Sequence, residues 1–414
     1  MRDSRFVNKG IISGTVRAFP SKSFIQRALL LGLLNENSVQ IKNYRDCGDT
    51  KAVMDSVIKL GALAKISGSS VKITGPGKFN KAEINCIESG LCLRMLAPVL
   101  ALSDEEFIIK GSDSLMNRGN RHICGILSNM NVKCRLEKGY LSVRGPIKCG
   151  EILIENPSGS QLITGLLFAL SKTDGVSLIK LLNPVSFPYI RMTAEILNMF
   201  GAEIEFNGEK EISIRGGISF IKGKIDIEGD WSGASFFLVG GAIAGDITVQ
   251  NLNHDSLQPD KEILKYLSEA GADIESGKNY IRVRKSILKG FSADIKDHPD
   301  LFIPLVVLGM NCEGITKIFN FQRLKDKESD RPAAILSEFR KAGAKMEIIN
   351  DHIEVQKSSL SECELDPQND HRLAMGYAIA ALKSQKGLSI KNYGCVSKSY
   401  PSFFEDLESI RIRE

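Results

Sequence analysis

A weak internal repeat of about seventy residues governs how this chain can fold, because copies of one unit tend to build one architecture. A helix-like segment ends in a small-residue turn and enters a strand-like one at Gly61, Asn131, Gly201, Gly271 and Gly343, in contexts such as "KLGALAKI", "NMNVKCRL" and "KAGAKMEI". Gly or Asn at a helix end is what a left-handed C-cap requires, so these turns have a physical reason to recur. A sixth copy would turn near residue 413. Apolar helices with polar starts return at the same interval, marked by Ser23, Leu91, Ser160, Gly233, Asp300 and His371. Six units, three per half, follow, and a chain of 414 residues favours two domains on length alone. The helices are apolar almost all round, which places them inside each half. Between them, "SVKITG", "YLSVRG" and "YIRVRK" alternate as strands with one solvated face. The expected class is α/β.

Composition excludes several functions. A net charge of +5 is too weak to mark a nucleic-acid binder, and the aromatics are scattered rather than interleaved with a basic stripe. Such a balance suits an enzyme with anionic substrates. The 9 cysteines contain no CxxC pair and read as reduced thiols of a cytosolic protein. "MRDSRFVNKG" lacks the apolar core of a signal peptide, and no apolar run is long enough to span a bilayer, so a soluble cytoplasmic chain is expected. The 5 histidines lack ligand spacing, and neither a Walker-type phosphate loop nor a dinucleotide-binding glycine motif occurs. No metal and no cofactor are expected. Trp231, at the helix entrance "GDWSGASFF", reads as packing.

A buried helix presents unpaired N–H groups and a partial positive charge at its N-terminus. Six polar starts facing one cleft would attract phosphates and carboxylates, although each taken singly is only a cap. The starts carry more than caps need. "PSKSFIQR" puts Lys22, Ser23 and Arg27 on neighbouring faces of a first turn, the geometry of an anion site. "SGLCLR" places Arg94 on an apolar helix, where an unpaired charge is costly; a salt bridge to a carboxylate is the plainer alternative. "NDHRLAM" stacks Asp370, His371 and Arg372. Alone, His371 is readily a structural hydrogen-bond donor, but His and Arg together at a helix start favour an anion beyond it. "LKDKESDRPA" crowds Lys325, Asp326, Lys327, Glu328, Asp330 and Arg331 before a proline. A charge run is by default solvated surface, so its neighbours must decide its role.

Taken in order, "PSKSFIQRALLL", "SGSQ", "SFPYI", "HPDLF", "LKDKESDR", "NDHRLAM" and "SKSYPSFF" resemble the signature segments of the 5-enolpyruvylshikimate-3-phosphate (EPSP) synthases over nearly the whole chain. The resemblance implies transfer of the enolpyruvyl group from phosphoenolpyruvate to the 5-hydroxyl of shikimate 3-phosphate, with release of phosphate, in chorismate and aromatic amino acid biosynthesis. It implies an inside-out α/β barrel fold: two similar domains, each of three repeated α/β units with buried helices. The expected boundaries are 21–226 for one domain and 1–20 plus 227–414 for the other, with the active site in the cleft between them. A monomer is the form it implies, with no nucleic-acid or membrane partner.

By the same resemblance, shikimate 3-phosphate lies on Lys22, Ser23, Arg27, Ser160, Gln161, Ser186, Asp300 and Lys327, with Tyr189 nearby. Phosphoenolpyruvate lies against Lys22, Gly90, Arg118, Gln161, Arg331, Arg372 and Lys398, and Arg94 holds the local site together. Two anionic substrates repel each other, and fixed cations offset that while orienting them. Addition–elimination needs one group to take the hydroxyl proton and another to protonate the methylene carbon and later reverse roles. Those tasks go to Asp300 and Glu328, with Lys22 supporting the departing phosphate and His371 orienting Glu328. Lys327, Glu328 and Arg331 should then point inward, and Lys325 and Asp326 outward.

The chain also departs from the family pattern. Where Asn-Ala-Gly-Thr is usual, it carries Glu88, Ser89, Gly90 and Leu91; Pro20 stands for a glycine and Gly159 for a serine. An added carboxylate should weaken donor binding unless a cation pairs with it. Two other readings therefore stand. One is a catalytically silent paralogue that binds shikimate 3-phosphate. The other is the related UDP-N-acetylglucosamine enolpyruvyl transferase, against which counts the lack of a cysteine in "SDSLMNRGN".

Overall fold

The computed structural model describes residues 3–412. Within them the chain forms two compact units, one running from Pro20 to Ile227 and one built from the segments before and after it. The repeated turns carry the backbone that their residues predict: φ is 103° at Gly61, 66° at Asn131, 93° at Gly201, 87° at Gly271 and 92° at Gly343. Such left-handed positions are open to Gly and tolerated by Asn, which is why those two types mark the repeat. The sixth turn, expected near residue 413, lies outside the described residues.

In the Pro20–Ile227 unit, three helices form the interior: α1 (Lys22–Leu33), α2 (Gly90–Leu100) and α3 (Gln161–Lys172). Three four-stranded sheets accompany them. Each sheet has one wiring, a parallel pair extended by an antiparallel hairpin. Glu83–Asn85 runs parallel to Glu106–Lys110, which pairs antiparallel with Tyr140–Arg144, itself antiparallel to Lys133–Glu137. The last strand of the unit, Gly223–Asp226, returns to lie parallel to the first, Val39–Lys42. Alternation sets which face is dry: in Ser70–Thr74, Val71 and Ile73 are fully buried while Lys72 is exposed.

The other unit repeats the plan around α4 (Trp231–Ala244), α5 (Phe302–Gly309) and α6 (His371–Ala381), in which every residue is buried. Trp231 is fully buried at the start of α4. Two of its sheets are four-stranded with the same wiring, whereas the third has three strands. There Ser4–Asn8 pairs antiparallel with Gly387–Lys391, which runs parallel to Glu364–Leu365. The N-terminal strand thus stands where the earlier repeats place a hairpin of their own. Ile12–Arg17 follows it into the neighbouring sheet, parallel to Gly245–Gln250.

One expectation is corrected. The cysteines are not all thiols, because Cys124 and Cys134 form a disulfide with Cα atoms 4.9 Å apart. The turn at Asn131 folds the strand Lys133–Glu137 back beside the helix Arg121–Ser128, which brings the two side chains together. Sequence spacing holds no trace of that proximity. Among the described residues, no helix is long and apolar enough to cross a membrane.

Helices α2 and α3 approach each other closely at Gly165. A methyl group on Gly165 would sit 2.6 Å from the Met95 carbonyl oxygen and 2.6 Å from Pro98 Cγ. Alanine raises helix propensity by about 1 kcal/mol over glycine. Here the obstacle is partly backbone and cannot rotate away, and overpacking costs about 1–3 kcal/mol. Gly165→Ala is therefore expected to destabilise the unit, seen as a lower urea midpoint at unchanged slope.

Candidate active site

Each unit gathers the starts of its three interior helices into one polar cluster. In the Pro20–Ile227 unit the cluster is stitched from α1 to α2 by Gln26, whose amide donates to Ser89 Oγ at 2.9 Å and to the Asp49 carbonyl at 3.2 Å. Ser89 caps α2 by accepting from the Cys92 N–H. From α2 to α3 the link is Arg94, donating to Gln161 Oε1 at 2.6 Å, the Arg118 carbonyl at 3.0 Å and Asn120 Oδ1 at 3.2 Å. Amide and carbonyl oxygens thus receive three of the Arg94 donor hydrogens. Gly90 lies under this guanidinium, and a methyl there would come 2.8 Å from Arg94 Nη1. Arg118 is buried and donates to Ser114 Oγ at 3.1 Å. Gly90, Arg94, Arg118 and Gln161 are therefore neighbours, as a shared anion site needs.

Lys22 opens α1 and pairs with Asp49 at 2.8 Å, a partner that nothing in the sequence singled out. Arg27 points into the unit. It donates to Thr193 Oγ1 at 2.8 Å, the Ser23 carbonyl at 2.9 Å and Thr164 Oγ1 at 3.3 Å, and lies 6.0 Å from the Tyr189 ring centroid. Its hydrogen-bond partners are uncharged oxygens, and burial pushes the guanidinium down to about 10. A buried cation held by dipoles alone is poised to gain from an added anion. Ser186 adopts a left-handed conformation, φ 56°, at the entrance of the helix Phe187–Asn198, and its carbonyl accepts from the Tyr189 N–H. Ser160 is the buried N-cap of α3, adjacent to Gln161.

In the second unit Arg331 is the hub. Its side chain is 2% exposed, and it donates to Asp370 Oδ2 at 2.8 Å, Glu328 Oε2 at 2.8 Å and Asp300 Oδ1 at 3.1 Å. Burial disfavours its charge, but Asp370, Glu328 and Asp300 together outweigh that and raise its pKa. Asp300 also accepts from Arg372 Nη2 at 2.8 Å, and Glu328 pairs with Lys398 at 3.3 Å. Asp370 caps α6 through the Arg372 N–H, and Arg372 Nη1 donates to Ser232 in the first turn of α4. His371 Nδ1 lies 3.9 Å from Asp370 Oδ1. Thus Ser232 of α4, Asp300 just before α5 and Arg372 of α6 meet, the arrangement of starts found in the other unit.

The charged segment divides as its neighbours suggest. Lys325 and Asp326 are exposed, Lys327 and Glu328 half-buried and Arg331 buried. Burial pushes Lys327 down to about 8, against the pull of Asp300. Asp49, Ser232 and Asp260 are the polar neighbours that sequence reasoning passed over, because each is an ordinary residue beside an unremarkable turn. Asp370, noticed only as part of a motif, proves to be the most buried partner of Arg331.

Comparison with known proteins bears on this arrangement. Residues 7–407 match the family model for EPSP synthase (3-phosphoshikimate 1-carboxyvinyltransferase). The chain is 34% identical to the 3-phosphoshikimate 1-carboxyvinyltransferase of Clostridium novyi, covering 96% of this chain and 95% of that one. It is 35% identical to the enzyme of the same name from Pyrococcus abyssi, with the same coverage. In fold it resembles the EPSP synthase of Acinetobacter baumannii, with a TM-score of 0.82 at 22% identity over 99% of this chain and 98% of that one. It equally resembles an enolpyruvyl transferase of Streptomyces tendae, with a TM-score of 0.82 at 17% identity and the same coverage.

Removing the hub would leave its carboxylates facing one another. Arg331→Met is expected to cost about 3–5 kcal/mol of stability, as for breaking a buried ion pair. The deficit should shrink as pH falls from about 7 to about 5, because crowded carboxylates can then take up protons. Urea denaturation at the two pH values checks both statements.

Proposed function

The chain belongs to the EPSP synthase family, and on that premise we propose how its residues divide the work of the family's reaction. It is an enolpyruvyl transferase, moving the enolpyruvyl group of phosphoenolpyruvate to the 5-hydroxyl of shikimate 3-phosphate and releasing phosphate. The observation that carries the proposal is the pairing of Asp300 and Glu328 on one buried guanidinium, with Arg372 and Lys398 beside them.

In the addition step the acceptor hydroxyl oxygen bonds to C2 of the donor while Asp300 takes the hydroxyl proton and Glu328 gives a proton to the methylene carbon. In the elimination step Glu328 takes a proton back from the resulting methyl group, the C2–phosphate bond breaks and the double bond re-forms. Two carboxylates suit these opposite tasks only if each is held at a fixed place, and the shared Arg331 supplies that. Arg331, Arg372 and Lys398 face the donor's charges in this scheme, with Lys22, Gly90, Arg118 and Gln161 receiving its phosphate and carboxylate. Lys22 also stabilises phosphate as it leaves. His371, packed on Asp370, steadies Glu328 through the Asp370–Arg331 pair.

Shikimate 3-phosphate lies on Ser23, Arg27, Ser160, Gln161, Ser186 and Lys327, with Tyr189 beside it. The uncharged hydrogen-bond partners of Arg27 support this, since a phosphate would give that guanidinium a counter-charge. Both units contribute to one reaction, performed by a single cytoplasmic chain without nucleic acid. Glu88 is half-buried two residues before Gly90, and unless a cation pairs with it its carboxylate would raise the donor KM without changing the chemistry.

Phosphate release should require both substrates together. Glu328→Gln is expected to lower kcat by about 10²-fold or more, the usual contribution of a positioned acid–base group. Release unchanged by that substitution, or release from either substrate alone, would overturn the assignment. Because Lys327 loses its proton as pH rises through about 8, the KM for shikimate 3-phosphate should climb on the alkaline side. Lys327→Arg should remove that climb, and initial rates across the pH range decide it.

A further inference from the structure

Asp260 has no task in the reaction described above, yet it is 2% exposed. It sits in the short 3-10 turn Pro259–Glu262, packed against the start of α4. A buried carboxyl group is costly unless it is hydrogen-bonded. Ser232, in the first turn of α4, is the hydroxyl neighbour of this carboxyl group, and the same Ser232 hydroxyl accepts from Arg372 Nη1. On its other edge Arg372 donates to Asp300 Oδ2 at 2.8 Å. A polar chain therefore runs from Asp260 through Ser232 and Arg372 to Asp300, with a carboxyl group at each end and the guanidinium inside it.

Among the charged and polar groups that act on Asp260 are residues of three helix starts: Asp230 and Ser232 from α4, Asp300 from the turn before α5, and Arg372 from α6. Gln258 lies on the same segment as Asp260. It donates to Glu228 at 2.6 Å and accepts from the Trp231 N–H at 3.1 Å.

We propose that Asp260 is a positioning residue of the donor site, holding Arg372 through Ser232 and setting how strongly that guanidinium attracts a phosphate-bearing, carboxylated donor. This rests on the assignment of Arg372 to phosphoenolpyruvate. Burial first, and the Asp300 charge next, push the Asp260 carboxyl up to about 7. Below that pH the group is neutral, and Asp300 and Asp230 remain as the carboxylates acting on Arg372. Above it a further negative charge reaches the guanidinium and competes with the donor. Donor affinity therefore falls as pH rises through the transition, beyond any change due to the donor's own ionisation.

The test compares wild-type enzyme with Asp260→Asn, a neutral near-isostere, so that titration of the substrate cancels. Between about pH 6 and about pH 8 the ratio of wild-type to variant donor KM should rise about fivefold or more, the lower end of couplings between linked sites. The KM for shikimate 3-phosphate should show no such pH-dependent ratio. A flat donor ratio, or a change confined to kcat or to the acceptor, overturns the proposal. Ser232→Ala provides a second arm if Asp260→Asn does not fold: it breaks the link and should flatten the wild-type donor profile, and a full wild-type profile in it also overturns the proposal. Arg372→Lys separates this failure from failure of the underlying assignment. An unchanged donor KM in that variant would remove Arg372 from the donor site altogether, whereas a raised donor KM with a flat Asp260→Asn ratio defeats only the role of Asp260.

Discussion

Arg331 is a cation almost wholly removed from water, and its neighbourhood is arranged around that fact. Moving such an ion out of solvent carries a penalty of several kcal/mol, which mutual attraction offsets only when geometry is good and the remaining donors are satisfied. Asp370, Glu328 and Asp300 meet that condition by occupying three of its nitrogens. Asp370 simultaneously caps α6, and Asp300 passes its second oxygen to Arg372. The ion cluster therefore fixes where two interior helices begin and which way their first side chains face. Its net contribution to stability is small beside its effect on geometry, because much of the Coulombic gain is consumed by desolvation.

The interior helices explain why polar chemistry collects at one end of each. A helix buried on every side has no solvated face on which to place charged residues, so its polar groups can stand only at its ends. Trp231–Ala244, buried along its whole length, is the extreme case. At an N-terminal end those groups meet unpaired N–H donors and a positive partial charge, so carboxylates and hydroxyls there are stabilised as caps. Asp230, Asp370 and Ser89 do this through side-chain oxygens. Three helix starts brought together make a cluster, and the repeat makes it twice.

What the sequence revealed depended on whether a property was local. The repeated turns at Gly61, Asn131, Gly201, Gly271 and Gly343 were legible because a left-handed backbone restricts residue type at a single position. The inward and outward halves of the segment 325–331 were legible because its motif resembles that of a known family. The partners of those residues were not. Asp49 beneath Lys22 and Ser232 beside Arg372 lie at separations that only the fold closes. The Cys124–Cys134 pair was missed for the same reason, since ten intervening residues say nothing about a reversal of direction until the turn at Asn131 is placed. Asp260 left the faintest mark of all, one carboxylate in a short turn.

The three-stranded sheet has a bearing on the order in which the molecule can be completed. The Pro20–Ile227 unit is continuous in the chain, and all strands of its sheets are synthesised together. The other unit is interrupted by it. Strand Ser4–Asn8 has no partner until Gly387–Lys391 has been made, and Ile12–Arg17 must wait for Gly245–Gln250. During synthesis, where domains generally fold as they emerge, these two early strands thus wait for partners that come much later in the chain. The open edge of Ser4–Asn8 stays exposed until Gly387–Lys391 is made and that of Ile12–Arg17 until Gly245–Gln250 is made, and Lys9, Arg5 and Arg17, charges along that segment, are the kind of residue that discourages such edges from pairing with another chain.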